Sequence, residues 1–126
     1  MPVRAVRGAT QVAVDDKEQV LAATRELVSQ VLAANELGED DVLSILFTAT
    51  ADISSVAPAL AARQLGLNQP ALICAQEMAV AGSMPRVIRL LAHIETTRPA
   101  GQVRNVYLNG TELLRVDVPA IPQVEG

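Results

Sequence analysis

The chain has 126 residues, a formal net charge of −4 and a pI near 4.9; that length suits one domain able to bury roughly two thirds of its unfolded surface, with no need of a disulfide or a metal. The acidic balance argues against a nucleic-acid partner, which meets a basic face, and the single cysteine, Cys74, excludes an intramolecular disulfide and a cysteine-based zinc site. No apolar run approaches the ~18 residues of a membrane span, and the N-terminal "MPVRAVRGATQV" has no apolar signal core, so a soluble cytoplasmic protein is expected.

In chain order, "PVRAVRGATQV" alternates as a strand does. Val3, Ala5 and Arg7 share one face, Arg4 and Val6 the other, and Gly8 is expected to end the strand. "DDKEQVLAATRELVSQVLAAN" is the clearest helix. Asp15 followed by Glu18 resembles a capping box, Val20, Leu21, Leu27, Val28, Val31 and Leu32 form a stripe of helical period, and Gly38 suits the stop. "DVLSILFTATA" is a strand whose near-continuous apolar run predicts burial on both faces. "SSVAPALAARQLG" is a shorter helix, with Ser54 or Ser55 as N-cap, Pro58 in its first turn and Gly66 at its end. "PALICA" is a third strand and "QEMAVAGSMP" a loop. "RVIRLLAHIE" is a fourth strand, with Ile88, Leu90, Ala92 and Ile94 on one face and Val87, Arg89, Leu91, His93 and Glu95 on the other. Asn109-Gly110 within "VRNVYLNGTELLRV" predicts a two-residue hairpin, and the proline-containing end, residues 118–126, an irregular tail beyond a single domain at 1–117.

Helices confined to the first half predict an α+β fold, a mixed sheet with helices on one face. The opposite face is left apolar, which favours self-association. With one Phe, one Tyr and no Trp, the core is built from Ala, Val, Leu and Ile.

Several charged residues do not suit such a core. Arg7 and Arg89 share strand faces with apolar neighbours, Arg63 lies late on the short helix, Arg115 closes "ELLR", and Glu77 follows a strand end three residues after Cys74. Tyr107, the one tyrosine, is expected on an arm of the hairpin. Taken singly, an arginine at a strand end faces water, a strand cysteine is a small hydrophobe and a tyrosine packs with its hydroxyl wet. His93 has no second histidine and no ligand spacing around it. Taken together, several guanidinium groups in one cleft would bind a dianion, because the planar fork pairs bidentately with carboxylates. The residues alone lead to an α+β oligomer with a carboxylate-binding pocket.

"VRGAT", "FTATADISSVAPALAAR", "CAQEM", "PRVIRLL", "RNVYL" and "LLRVD" occur in the order and spacing of the monofunctional chorismate mutases of the trimeric type, and the likeness runs from about residue 3 to residue 117. The resemblance implies a pseudo-α/β barrel formed by a homotrimer with active sites between subunits. It implies the Claisen rearrangement of chorismate to prephenate on the route to phenylalanine and tyrosine, with no cofactor, metal or covalent intermediate. It also implies roles. Arg89 stands beside the ether oxygen of the breaking bond, and Arg7 and Tyr107 bind a substrate carboxylate. Glu77 and Cys74 lie near the ring hydroxyl and the migrating enolpyruvyl end, while Arg63 and Arg115 are basic residues close to the site. The chain departs from the pattern at Ala57 and Leu60, where family members carry an aromatic residue and a lysine near the mouth of the site.

Three other readings stand beside this one. The first is a trimeric carboxylate binder or imine deaminase of related fold, which "CAQEM" and "PRVIRLL" fit less well. The second is a purely structural oligomerisation domain, which leaves Arg7, Glu77 and Arg89 unexplained together. The third is a mutase serving a specialised pathway.

Overall fold

The strand alternation at the N-terminus runs past Gly8: β1 spans Val3–Gln11. The computed structural model describes residues 2–117, the side chains of 115–117 excepted, and the expected tail at 118–126 lies outside the described residues. Gly8 lies inside β1 because the helix layer presses on it. A Cβ there would meet Leu27 Cδ1 at 3.1 Å, the Val106 carbonyl oxygen at 3.3 Å and Leu90 Cγ at 3.4 Å. The glycine marks a close approach of layers rather than a turn.

Helix α1 spans Lys17–Ala34. Its N-cap is Asp16, one residue later than the capping pattern predicts, and the Asp16 carboxylate accepts from the Gln19 amide at 3.1 Å. Asp15 does different work, holding the Ser54 and Ser55 amides at 2.9 and 3.2 Å and so joining the start of α1 to the loop before the second helix. Those serines therefore do not cap a helix. α1 ends before Gly38. Leu37 N–H donates to Leu32 and Glu36 N–H to Ala33, a Schellman closure with Glu36 at φ 56°. Buried Asn35 then locks the helix end, accepting from the Arg104 amide at 2.8 Å and donating to the Arg104 carbonyl at 3.0 Å.

β2 spans Val42–Ala49, α2 Ala59–Gln64, β3 Ala71–Gln76, β4 Val87–Glu95 and β5 Val106–Tyr107. α2 starts after Pro58 and closes on Gly66 at φ 91°, the end the sequence predicts. The five strands form one mixed sheet in the order β3-β2-β4-β1-β5. β4 pairs antiparallel with both β1 and β2, while β2–β3 and β1–β5 are parallel. Both helices cover the same face. Leu27, Val28 and Val31 of α1 and Ala62 of α2 pack on Val6, Ile45, Phe47, Leu90, Ala92 and Ile94. The fold is the expected α+β arrangement.

Two expectations about strands fail. β2 is buried on one face only, since Ile45 and Phe47 enter the core while Leu46 and Thr48 on the other face stay partly exposed. The helices do not reach that other face. The hairpin also does not form. Asn109 and Gly110 take φ 55° and 90°, as such a turn needs, but the arms never pair. Val106–Tyr107 instead joins β1 in parallel, and the chain enters a 3-10 helix over Thr111–Asp117. The Thr111 hydroxyl bonds the Ala9 carbonyl at 3.0 Å and the Asn109 amide bonds Thr10 Oγ1 at 2.9 Å, so the free edge of β1 outcompetes the local pairing.

Gly8→Ala is expected to destabilise the fold by about 1–3 kcal/mol, the usual range for an overpacked core, read as a lower urea midpoint at unchanged slope. Asp15 gives a pH signature. Hydrogen bonds from the Ser55 side chain and the Ser54 amide hold its carboxyl below the ordinary carboxylate value. Its contribution to stability is thus present above the unfolded pKa of about 3.9 and fades as pH falls through the lower folded value. Asp15→Asn should melt earlier than the native chain at pH 7, and the gap should close on acidification below about pH 4.

Candidate active site

The face of the sheet away from the helices carries the chemistry. Register aligns one row across it: Ala75 of β3, Thr48 of β2, Arg89 of β4, Ala9 of β1 and Tyr107 of β5. The next row places Ile73, Leu46, Leu91 and Arg7 side by side. The alternation of β4 explains why Arg89 points this way, since its neighbours Ile88 and Leu90 are consumed by the core. A cleft of about 450 Å³ opens here, lined by Arg7, Leu46, Thr48, Glu77, Arg89, Leu91 and Tyr107, with Gly8 and Leu90 completing the wall.

Glu77 is the first residue after β3. Its amide donates to the Ala49 carbonyl at 2.9 Å, which swings the side chain over the end of β2. Its Oε2 accepts from the Thr48 hydroxyl and lies 3.5 Å from Arg89 Nε. The side chains of Arg89 and Glu77 retain 37% and 26% of their exposure, so the pair is partly solvated and contributes at most about 1 kcal/mol to stability. Arg7 approaches from the neighbouring row, its strand fixed by the Arg7 amide bond to Asn105 Oδ1 at 2.8 Å. The net result is two guanidinium groups, one carboxylate and one phenol around an apolar floor of Leu46 and Leu91. Guanidinium groups in such a set pair with carboxylates through their planar forks.

Of the residues singled out in the sequence, Arg7, Glu77, Arg89 and Tyr107 are therefore brought together. Cys74 and Arg63 do not line this cleft. Cys74 is exposed on the edge strand β3 in register with Phe47, on the side of the sheet that carries the helices. Arg63 is exposed on α2, as is Leu60, and Ala57 is exposed just before it. The side chain of Arg115 lies outside the described residues, although Leu114 just before it lines a smaller cavity of about 100 Å³ with Glu77 and Arg89. Thr48 is the functional contact that sequence reasoning missed. Its signal was the alternation of "LFTATA", which puts Thr48 on the face of Leu46, but the bond to Glu77 depends on a pairing that the local pattern does not encode.

Comparison with known proteins is then decisive. Residues 3–118 match the family described as Chorismate mutase type I. The chain belongs to the type I chorismate mutase family. It is 44% identical over 117 residues to the chorismate mutase AroH of Thermus thermophilus, covering 92% of this chain and 96% of that one. To AroH of Bacillus subtilis strain 168 it is 36% identical over 126 residues, 99% of each chain. A solved chorismate mutase from Clostridium thermocellum superposes with a TM-score of 0.85 at 38% identity, covering 86% of this chain and 97% of the other. Membership makes the chain an isomerase, and the mixed sheet with its helices on one face is the architecture of that structural relative. Among the described residues no helix is long and apolar enough to cross a membrane, and no group of His, Cys, Asp and Glu could hold a metal ion.

Proposed function

We propose that the cleft rearranges chorismate to prephenate, with Arg89 beside the ether oxygen of the bond that breaks. The observation that carries this reading is the Arg89–Glu77 pair at 3.5 Å inside a cleft that Arg7 and Tyr107 also enter. A Claisen rearrangement is intramolecular and needs neither nucleophile nor proton transfer. Catalysis then has two sources. The site holds the flexible substrate in its compact reactive conformer, and it stabilises charge that develops only in the transition state. As the C–O bond breaks ahead of C–C bond formation, the ether oxygen gains negative charge and the ring gains positive character. Arg89 donates to that oxygen. Glu77 complements the ring and accepts from its hydroxyl. Arg7 and Tyr107 hold a carboxylate. Interactions that strengthen toward the transition state raise turnover rather than affinity alone.

The active form in this reading is a homotrimer with sites shared between subunits. Two features support it. β3 is an edge strand with unpaired backbone groups, and Ile73 on the open face is 63% exposed, a combination that invites cover by another chain. Cys74 and Arg63, expected near the substrate, lie outside their own chain's cleft, which suits delivery to a neighbour's. Arg115 would approach from the C-terminal side to close the site. The product feeds phenylalanine and tyrosine formation.

The direct test is the fall in ultraviolet absorbance as chorismate is consumed. Arg89→Lys keeps the charge but loses the fork, and is expected to lower kcat by a hundredfold or more, about 3 kcal/mol, in line with loss of a transition-state donor; turnover within about threefold of the native enzyme would remove Arg89 from its role. Sedimentation at assay concentration should give the mass of three chains, and a fully active monomer would refute shared sites.

A further inference from the structure

The segment that separates Glu77 from Arg89 is gripped at its far end by a residue outside the cleft, Asp52. Its carboxylate accepts the Arg86 amide through both oxygens, each at 3.1 Å. Its Oδ1 also accepts from Thr50 Oγ1 at 2.5 Å, and that hydroxyl in turn accepts the Val87 amide at 3.0 Å. Thr50 N–H donates to the Val87 carbonyl at 3.0 Å, closing a ring of bonds around the first residue of β4. Within that ring Arg86 has φ 51°, a left-handed conformation that a non-glycine residue adopts at a cost. The Arg86 side chain braces the same corner, Nε donating to the Val12 carbonyl at 3.0 Å, and Gln11 donates to the Pro85 carbonyl at 2.8 Å. The near end of the segment is tied to the same stretch, residues 48–52, through Glu77 N–H to Ala49 and Thr48 to Glu77.

We propose that Asp52 is a positioning residue for catalysis: by holding Arg86 in its left-handed conformation it sets the entry of β4 and so the placement of Arg89 against Glu77. Arg89 follows Arg86 by three residues, with Thr48 as its register partner. One carboxylate thus couples the strand carrying the cation to the strand that holds the anion. The proposal rests on the rearrangement described above, because its kinetic readout is that reaction.

The experiment combines Asp52→Ala, Asp52→Asn and Arg86→Gly with Arg89→Lys. Asp52→Ala is expected to lower kcat about tenfold or more while KM moves less than about threefold, since a displaced Arg89 loses transition-state contact before substrate affinity. Asp52→Asn keeps an acceptor and recovers most of the loss. Arg86→Gly alone is the reference for the lost Nε bond to Val12, and adding Asp52→Ala to it lowers kcat less than about threefold further, because glycine takes the left-handed conformation unaided. On the Arg89→Lys background, Asp52→Ala costs less than about threefold, as expected for two changes acting through one contact. An Asp52→Ala enzyme that melts earlier but keeps native kcat overturns the proposal, as does a full tenfold loss on the Arg89→Lys background. Should Asp52→Ala fail to fold, Asp52→Ser is compared with native and Asp52→Ser with Arg86→Gly is compared with Arg86→Gly alone, and an equal loss of kcat in both backgrounds refutes the role. If the native enzyme leaves chorismate untouched, the functional reading falls by itself. The Arg89 Nε–H resonance then decides the positioning claim, by moving when Asp52→Ala is made in the native chain but not when it is made on Arg86→Gly, or by staying fixed in both.

Discussion

The register of β4 between β1 and β2 is the constraint on which the rest of this molecule depends. Ile88, Leu90, Ala92 and Ile94 must all face the helices, and each is at most 4% exposed. Strand side chains alternate, so burying those four commits Arg89 and Leu91 to the opposite face. A slip of one residue would expose the apolar set and force the guanidinium into the core, where an unpaired charge costs several kcal/mol. Core packing and active-site geometry are thus one constraint read from two sides of a strand. The helices enforce it without touching the cleft, and Gly8 lets α1 approach closely enough to do so.

A protein with a net charge of −4 repels a dianion at long range. In the proposed function attraction therefore has to be local, and adjacency across the sheet would supply it. Arg7 and Arg89 stand on neighbouring strands in neighbouring rows, with Glu77 supplying an opposing charge. Because both cations sit on paired strands, little motion is needed to align them when substrate enters. Preorganised charge of this kind is more effective at a developing oxyanion than an equal charge on a flexible loop.

Much of this was legible in the sequence. The period of β4 identified both its core face and its charged face, and the stripe of α1 identified the helix side. What escaped depended on partners distant in the chain. Gly8 reads as a turn because nothing local reveals Leu27 pressing on it. Ser54 and Ser55 read as caps because their true partner, Asp15, lies 39 and 40 residues away. Asn109-Gly110 has the right dihedral angles for a hairpin, yet the open edge of β1 claims the preceding residues. The site divides along the same line. Arg7, Glu77, Arg89 and Tyr107 share a cleft, whereas Cys74 and Arg63 do not line it, because local alternation does not say how β3 and α2 sit relative to β4.

That division has a structural logic. β3 places Cys74 and Ile73 on opposite faces at the sheet edge, and the chain then turns at Glu77 back over β2. In the proposed trimer, one short strand and the residue after it would serve two clefts, its own through Glu77 and a neighbour's through the exposed edge. Were the same residues all directed into a single cleft, β3 would need cover on both faces, and the protomer would have to supply another layer. In the proposed assembly another copy of the chain would supply that layer without further sequence. In the trimer proposed above, the exposed edge strand, a liability in a monomer, would be the means by which a small Ala- and Val-rich domain completes a site larger than it could enclose alone.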